Sequence, residues 1–143
     1  MRTNVKNKIL LVEDDADTRQ ALAMLFELEG FEVVTAVDGE EAFSQALNER
    51  PDLIVTDINM PKVSGLDLIE MVRKDRRINN TPIVAMSAVE RQNLNRAEEL
   101  GAVAVAQKPI EFDNFLSLIA KVVSARSRRN RNFSAKERFR NSR

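Results

Sequence analysis

The chain has 143 residues, 43% apolar and 31% charged, which is enough for one domain with a proper core. It contains no cysteine and no histidine, so disulfides, thiolate chemistry, imidazole metal ligands and every Ser-His-Asp arrangement are excluded. Any catalysis must use carboxylates, lysine, arginine, hydroxyls or amides. No apolar run approaches the ~20 residues that a membrane span needs, so we expect a cytoplasmic protein with no membrane span.

The net charge of zero hides a division along the chain. From Ser124 onward, eight basic residues and one acid give +7, while the other 14 basic and 21 acidic residues give −7. We predict a globular domain over residues 1–125 and a basic tail over residues 126–143. Because charge runs are usually solvated, we expect the tail to be disordered or a frayed extension of the last helix.

A contact between this tail and nucleic-acid phosphates or an acidic partner is a second interpretation. The tail is too short for a folded DNA-binding domain, which disfavours a transcription factor with its own output module.

Apolar runs alternate with amphipathic stretches in the first 125 residues. Helical spacing of apolar residues follows each run, with stops at Gly30 and Gly101, and the last helix is predicted from 111 to about 125. The predicted strands cover residues 8–12, 31–36, 53–56, 82–86 and 102–106.

Five strands alternating with five helices predict an α/β fold. The first, third and fourth strands are nearly continuously apolar, as strands covered on both faces should be. The right-handed crossover rule then gives a doubly wound, five-stranded parallel sheet, for which we predict the flavodoxin-like order 2-1-3-4-5. In that order the switch point lies between the first and third strands.

Five polar side chains follow the predicted strands at their carboxyl ends. Glu13 and Asp14 follow the first strand, Asp57 the third, Ser87 the fourth and Lys108 the fifth. Three carboxylates in one crevice stay ionised only beside a cation, and oxygen ligands without His or Cys indicate Mg²⁺ or Mn²⁺. With an ammonium and a hydroxyl nearby, the group predicts a phosphoryl site on Asp57.

These motifs, taken together and in order, resemble the receiver domain of bacterial two-component response regulators. The resemblance runs from about Lys8 to about Ala125 and favours the stand-alone, chemotaxis-regulator-like type. It implies a phosphoacceptor module rather than an enzyme, one that assists only its own phosphorylation and dephosphorylation. The residues that carry it are Val12-Glu13-Asp14-Asp15, Asp57-Ile58-Asn59-Met60-Pro61 with Gly65, Ser87-Ala88 and Lys108-Pro109.

The resemblance also implies a role for each site residue. Asp57 would accept phosphate from a sensor histidine kinase or a histidine phosphotransfer protein. Mg²⁺, or Mn²⁺ in its place, would be bound by Asp14 directly, by Glu13 through water, by Asp57 and by the backbone carbonyl of Asn59.

The remaining implied roles concern the response to phosphorylation. Ser87 would swing toward the phosphoryl group and Lys108 would pair with it, with a cis peptide before Pro109. The output would be a downstream protein docking on the face made by the fourth helix, the fifth strand and the fifth helix.

Two positions depart from the family pattern. Val105 stands where the family often has Tyr or Phe, so the aromatic part of the switch is missing and we expect the signal to travel by backbone shift and repacking of the fourth helix. Val89, two residues past Ser87, cannot orient an attacking water. We therefore predict a phosphoryl lifetime longer than that of a Val89→Glu variant.

Simpler interpretations exist for single residues. Asp14 and Asp15 could cap the first helix, and Ser87 with Glu90 has the spacing of a capping box. A phosphohydrolase with an aspartate nucleophile is a further alternative. This alternative is weakly supported, because such enzymes have a second acid two residues after the nucleophile. This chain has Asn59 there, which cannot transfer protons.

Overall fold

The computed structural model describes residues 6–88 and 91–141, with side chains described except at positions 91, 92 and 127–141. Five parallel strands form one sheet in the order β2-β1-β3-β4-β5, which confirms the predicted fold and strand order. The strands are β1 Lys8–Val12, β2 Glu32–Ala36, β3 Leu53–Asp57, β4 Ile83–Ser87 and β5 Ala104–Gln107. The helices are α1 Ala16–Leu28, α2 Gly39–Glu49, α3 Gly65–Lys74, α4 Arg91–Leu100 and α5 Phe112–Asn141.

The sheet has three buried central strands and two partly exposed edges. Every residue of β3 and β4 is buried, and so is all of β1 after Lys8. The edge strands β2 and β5 are mostly half-buried. The continuous apolar runs therefore marked the strands that lie between two helical layers.

Two apolar clusters fill the two faces of the sheet. On one face Leu10 and Ile54 lie among residues of α2, α3 and α4, while on the other Ile9 and Leu11 lie among residues of α1 and α5. Phe26 of α1 anchors the second layer, with ring centroids 5.7 Å from Phe112 and 6.2 Å from Phe115. This is the doubly wound arrangement.

Local capping decides where the helices begin. Asp15 caps α1 by accepting from the Thr18 N–H at 2.9 Å, so the capping interpretation holds for Asp15 but not for Asp14. Ser87 is the last residue of β4, and α4 is described from Arg91. The predicted capping partner Glu90 lies outside the described residues, as does Val89, so the capping box at Ser87 stays a prediction.

The last helix is longer than predicted. We expected it to end near Ala125, with the tail after it either disordered or a frayed extension of the helix, and α5 extends to Asn141. Among the side chains described, its buried residues are Phe115, Ile119 and Val123. Beyond Val123 the residues are mostly good helix formers without Gly or Pro, so nothing local ends the helix. The division at residues 125 and 126 stays a prediction.

No helix within residues 6–88 and 91–141 combines the length and the apolar character that crossing a membrane requires.

Candidate functional site

The predicted site residues converge at the carboxyl edge of the sheet. β3 ends on Asp57 and β4 ends on Ser87, while Glu13 and Asp14 directly follow β1 and Lys108 directly follows β5. Because parallel strands end at the same edge, four separate loops bring these side chains to the crevice at the β1/β3 switch point.

Lys108 is the centre of the site. Its Nζ donates to Asp57 Oδ2 at 2.8 Å and to Glu13 Oε1 at 2.9 Å. Glu13 is 1% exposed and Asp57 6% exposed, so both ion pairs lie largely away from water. The Lys108–Pro109 peptide is cis, as the family resemblance implies, and the Lys108 N–H donates to the Ser87 carbonyl at 2.8 Å.

Burial and charge act in opposite directions on these groups. Burial raises the pKa of Glu13, although the hydrogen bonds from Lys108 and from the Asp15 N–H oppose it. Burial by itself lowers the pKa of Lys108, but its bonds to Asp57 and Glu13 outweigh this and the net pKa is raised. Lys108 is therefore a fixed cation at neutral pH.

The carboxylates are arranged as a metal site would require. Glu13, Asp14 and Asp57 each offer an oxygen within 4.8 Å of the others, and Asp14 is exposed while the other two are buried. Hard oxygen donors with one open side fit Mg²⁺ or Mn²⁺, which keep several waters. Asn59 follows at the rim, where its N–H donates to Asp57 Oδ1 at 3.2 Å, so its backbone lies beside the cluster.

Ser87 ends β4 beside the site, and Val105 lies on the neighbouring strand β5. Ser87 is fully buried, and Asn59 Nδ2 donates to its Oγ at 3.4 Å. Val105 is half-buried and packs against the apolar cluster on the α4 side of the sheet. No aromatic ring stands at this position to follow a movement of the hydroxyl.

Sequence reasoning missed Arg19, and it quoted Gly65 as part of the motif without its structural reason. Arg19 Nη1 donates to the Glu13 carbonyl at 2.9 Å and holds the loop after β1; its position one helical turn after Asp15 was the available signal. Gly65 allows α3 to start against β3, because an added Cβ would collide with the Asp57 carbonyl oxygen and lie 2.7 Å from Ile58 Cα. No sequence signal marked that close approach.

The comparisons with known proteins agree with this geometry. The family model described as response regulator receiver domain matches residues 9–120. The chain belongs to the response regulator receiver family. Receiver domains are signalling modules phosphorylated on an aspartate; they bind Mg²⁺ at an acidic pocket and interact with histidine kinases or phosphotransfer proteins.

Two curated relatives illustrate the likeness. The CpxR homolog of Haemophilus influenzae, a transcriptional regulatory protein, is 38% identical over 118 residues, which are 81% of this chain and 48% of that protein. PdtaR of Mycobacterium tuberculosis, also a transcriptional regulatory protein, is 34% identical over 122 residues, 84% of this chain and 58% of that protein. The chain spans about half the length of these relatives.

Solved structures of receiver proteins match over nearly their whole length. The chemotaxis protein CheY4 of Vibrio cholerae is 29% identical with a TM-score of 0.77, covering 82% of this chain and 99% of that one. The Francisella response regulator 1452 receiver domain is 27% identical with a TM-score of 0.78, covering 84% and 98%. The receiver interpretation and the flavodoxin-like fold are both confirmed.

Proposed function

We propose that this receiver domain accepts a phosphoryl group on Asp57 in a Mg²⁺-dependent reaction. The observation that carries the proposal is the buried ion pair between Lys108 Nζ and Asp57 Oδ2 at 2.8 Å, beside two further carboxylates. A structural ion pair needs one carboxylate for one ammonium. Here Glu13 and Asp14 add negative charge at the same point, which makes sense if a second cation and a phosphoryl group complete the site.

The transfer uses the Asp57 carboxylate as the nucleophile. One carboxylate oxygen attacks the phosphorus of a phosphohistidine, the P–N bond breaks, and the donor imidazole leaves with a proton from solvent. Lys108 then pairs with a phosphoryl oxygen, and the hydroxyl of Ser87, on the neighbouring strand, supplies a second donor. Catalysis of this kind is positioning together with charge neutralisation.

Asp14, Glu13, Asp57 and the Asn59 carbonyl are the groups that would hold Mg²⁺, with Glu13 acting through water. When bound, the metal supplies positive charge that neutralises the carboxylates and the phosphoryl oxygens. The protein's own contribution is to hold these oxygens close together before the metal arrives.

The phosphoryl donor in this proposal is a sensor histidine kinase or a histidine phosphotransfer protein, and the output is a downstream protein. The output face consists of α4, β5 and α5. Between β5 and α5 it has a cleft of about 250 Å³ whose apolar lining includes Ile110, Phe115 and Leu118. An apolar cleft beside the Lys108 loop suits a docking surface that responds to phosphorylation.

Because position 105 is Val rather than an aromatic residue, we expect phosphorylation to affect the output face through a backbone shift and repacking of α4. Backbone amide chemical shifts with and without a phosphoryl mimic test this point. Changes along β5 and α4 are expected, whereas changes confined to the loops around Asp57 would contradict it.

Intact mass after incubation with a small-molecule phosphodonor tests the proposed function. Wild type with Mg²⁺ should gain one phosphoryl group, and this gain should vanish with a chelator or in Asp57→Asn. Asp113→Asn, which replaces an exposed acid of α5, is the matched control and should gain the group normally. Equal gain in Asp57→Asn, or no gain in folded wild type, would overturn the proposal.

A further inference from the structure

The part of α5 beyond the domain core is the strongest charged feature that the receiver chemistry leaves unused. Residues 126–141 are helical and include seven basic residues and one acid. Six of the seven are arginines. The basic residues are Arg126, Arg128, Arg129, Arg131, Lys136, Arg138 and Arg140.

This extension lacks the pattern of a protein-docking helix. The apolar spacing of Phe115, Ile119 and Val123 would continue at positions 127 and 131, which are Ser and Arg. The two large apolar residues of the extension, Phe133 and Phe139, are six positions apart, which places them about 120° apart around a helix of 3.6 residues per turn. No apolar stripe exists for a coiled coil or a groove-bound helix.

The basic surface begins on the described part of the domain. Arg126, Arg76 and Arg77 line one cleft of about 330 Å³. It lies at the amino-terminal edge of the sheet, since α3 ends and β4 begins there. Arg76 is exposed and Arg77 pairs with Asp75 at 2.7 Å. Arg126 Nη1 donates to the Pro51 carbonyl at 3.1 Å and lies 4.0 Å from Asp52 Oδ1. The first arginine of the extension is thus fixed to the domain and continuous with two others.

We propose that the α5 extension, together with the exposed Arg76 beside it, binds duplex DNA through its phosphates. Arginine offers a planar fork of donors that fits phosphate oxygens, and all but one of the basic residues of the extension are arginines. Phosphate contacts alone predict binding that depends steeply on salt and little on base sequence.

The shape of the extension favours DNA over RNA. A helix of residues 127–141 is roughly 22 Å long and 10–12 Å wide, close to the ~12 Å width of the B-DNA major groove. The major groove of duplex RNA is too deep and narrow to admit it.

The acidic site at the other edge sets the orientation of the domain. Glu13, Asp14, Asp15 and Asp57 lie at the carboxyl edge and repel phosphates, while the arginine cleft lies at the amino edge. The domain would therefore bind with its phosphorylation site facing away from DNA and accessible to its phosphoryl donor.

Fluorescence anisotropy of a labelled, mixed-sequence DNA duplex of roughly 20 base pairs, about two helical turns, tests the proposal on the unphosphorylated full chain. We expect binding at about 50 mM salt and a slope of log K against log salt on the order of −4 to −6. Arg128→Gln/Arg131→Gln should weaken binding about tenfold or more and reduce the slope by about 2, since each arginine removed leaves one phosphate without its neutralising charge. Arg76→Gln should weaken binding less.

The control Lys62→Gln/Arg96→Gln removes the same charge from exposed sites away from this surface and should bind like wild type. If this control bound DNA as weakly as Arg128→Gln/Arg131→Gln, the loss of affinity would reflect net charge alone, and the proposal would be overturned. The absence of binding at about 50 mM salt, RNA duplex binding as tight as DNA, or equal competition by polyglutamate would also overturn it. None of these outcomes depends on phosphorylation, so the proposed function is tested separately.

Discussion

Two partly buried cations lie at opposite edges of the sheet, and each joins several loops. Lys108, at the carboxyl edge, donates to the carboxylates of Asp57 and Glu13. Arg73, at the amino edge, donates to three backbone carbonyls: Gly101 at 2.7 and 3.1 Å, Asn79 at 3.0 Å and Thr81 at 2.6 Å.

The difference lies in what the two cations hold. Backbone carbonyls do not change their charge, so Arg73 holds α3 against the segments before β4 and β5 in the same way under all conditions. Burial lowers the pKa of its guanidinium. The acceptors of Lys108 are carboxylates, one of which, Asp57, is the proposed phosphoryl acceptor. A buried cation with several acceptors is therefore structural at the amino edge, whereas at the carboxyl edge we propose that it responds to phosphorylation.

The largest expected effect is at Lys108. Lys108→Gln keeps most of the side-chain volume but removes the cation that pairs with the incoming phosphoryl group. We expect the phosphorylation rate with a small-molecule donor to fall roughly 10²-fold, as when one preorganised donor is removed from a transition state. Lys62→Gln, an exposed lysine in the loop after β3, is the control. Equal rates in the two variants would contradict the assigned role.

Arg73→Met should show the opposite profile. It removes the donors of three backbone carbonyls and should lower the free energy of unfolding by about 2–3 kcal/mol. The phosphorylation rate of the folded protein should stay unchanged. Denaturant unfolding measures the first quantity and mass spectrometry the second, with the exposed neighbour Lys74→Met as the control. A large fall in rate without a fall in stability would show that the two edges are not separate.

A pair of glycines sharpens the comparison within one edge. Gly65→Ala would press a Cβ against the backbone of Asp57 and Ile58, whereas Gly39→Ala would press against Val63, 2.6 Å from its Cγ1. Both should destabilise the fold by about 1–3 kcal/mol. Only Gly65→Ala should also slow phosphorylation, since it alone displaces the acceptor strand. The same slowing in both variants would remove the specific role of Gly65.

The smallest effect is expected at Asp75. The side chain and backbone N–H of Arg77 lower the pKa of Asp75 from 3.8 to about 2. Because the folded value lies below the unfolded one, the ionised pair stabilises the fold above about pH 4 and loses this effect as the pH falls toward 2. The difference in melting temperature between wild type and Asp75→Asn should therefore be present at about pH 5 and shrink on acidification. A difference independent of pH would contradict this.

The responsive edge could be predicted from the sequence, and the structural edge could not. Glu13, Asp57 and Lys108 each stand within two residues of the end of an apolar run, and parallel topology alone brings such positions together. Nothing in the sequence separates Arg73 from the other basic residues, because its partners are backbone carbonyls of loops that only the fold brings near. The sequence left the tail open between disorder and an extension of α5, since apolar periodicity ends at Val123 while helix propensity continues.

Locating the phosphoryl group directly is the measurement that tests the central claim best. Reductive trapping of an acyl phosphate converts the modified aspartate to homoserine, which peptide mass spectrometry can place in the sequence. After reaction with a phosphodonor and Mg²⁺, homoserine at position 57 and at no other acid is the predicted result. Homoserine at Asp14 or another aspartate, with position 57 unchanged, would contradict the account.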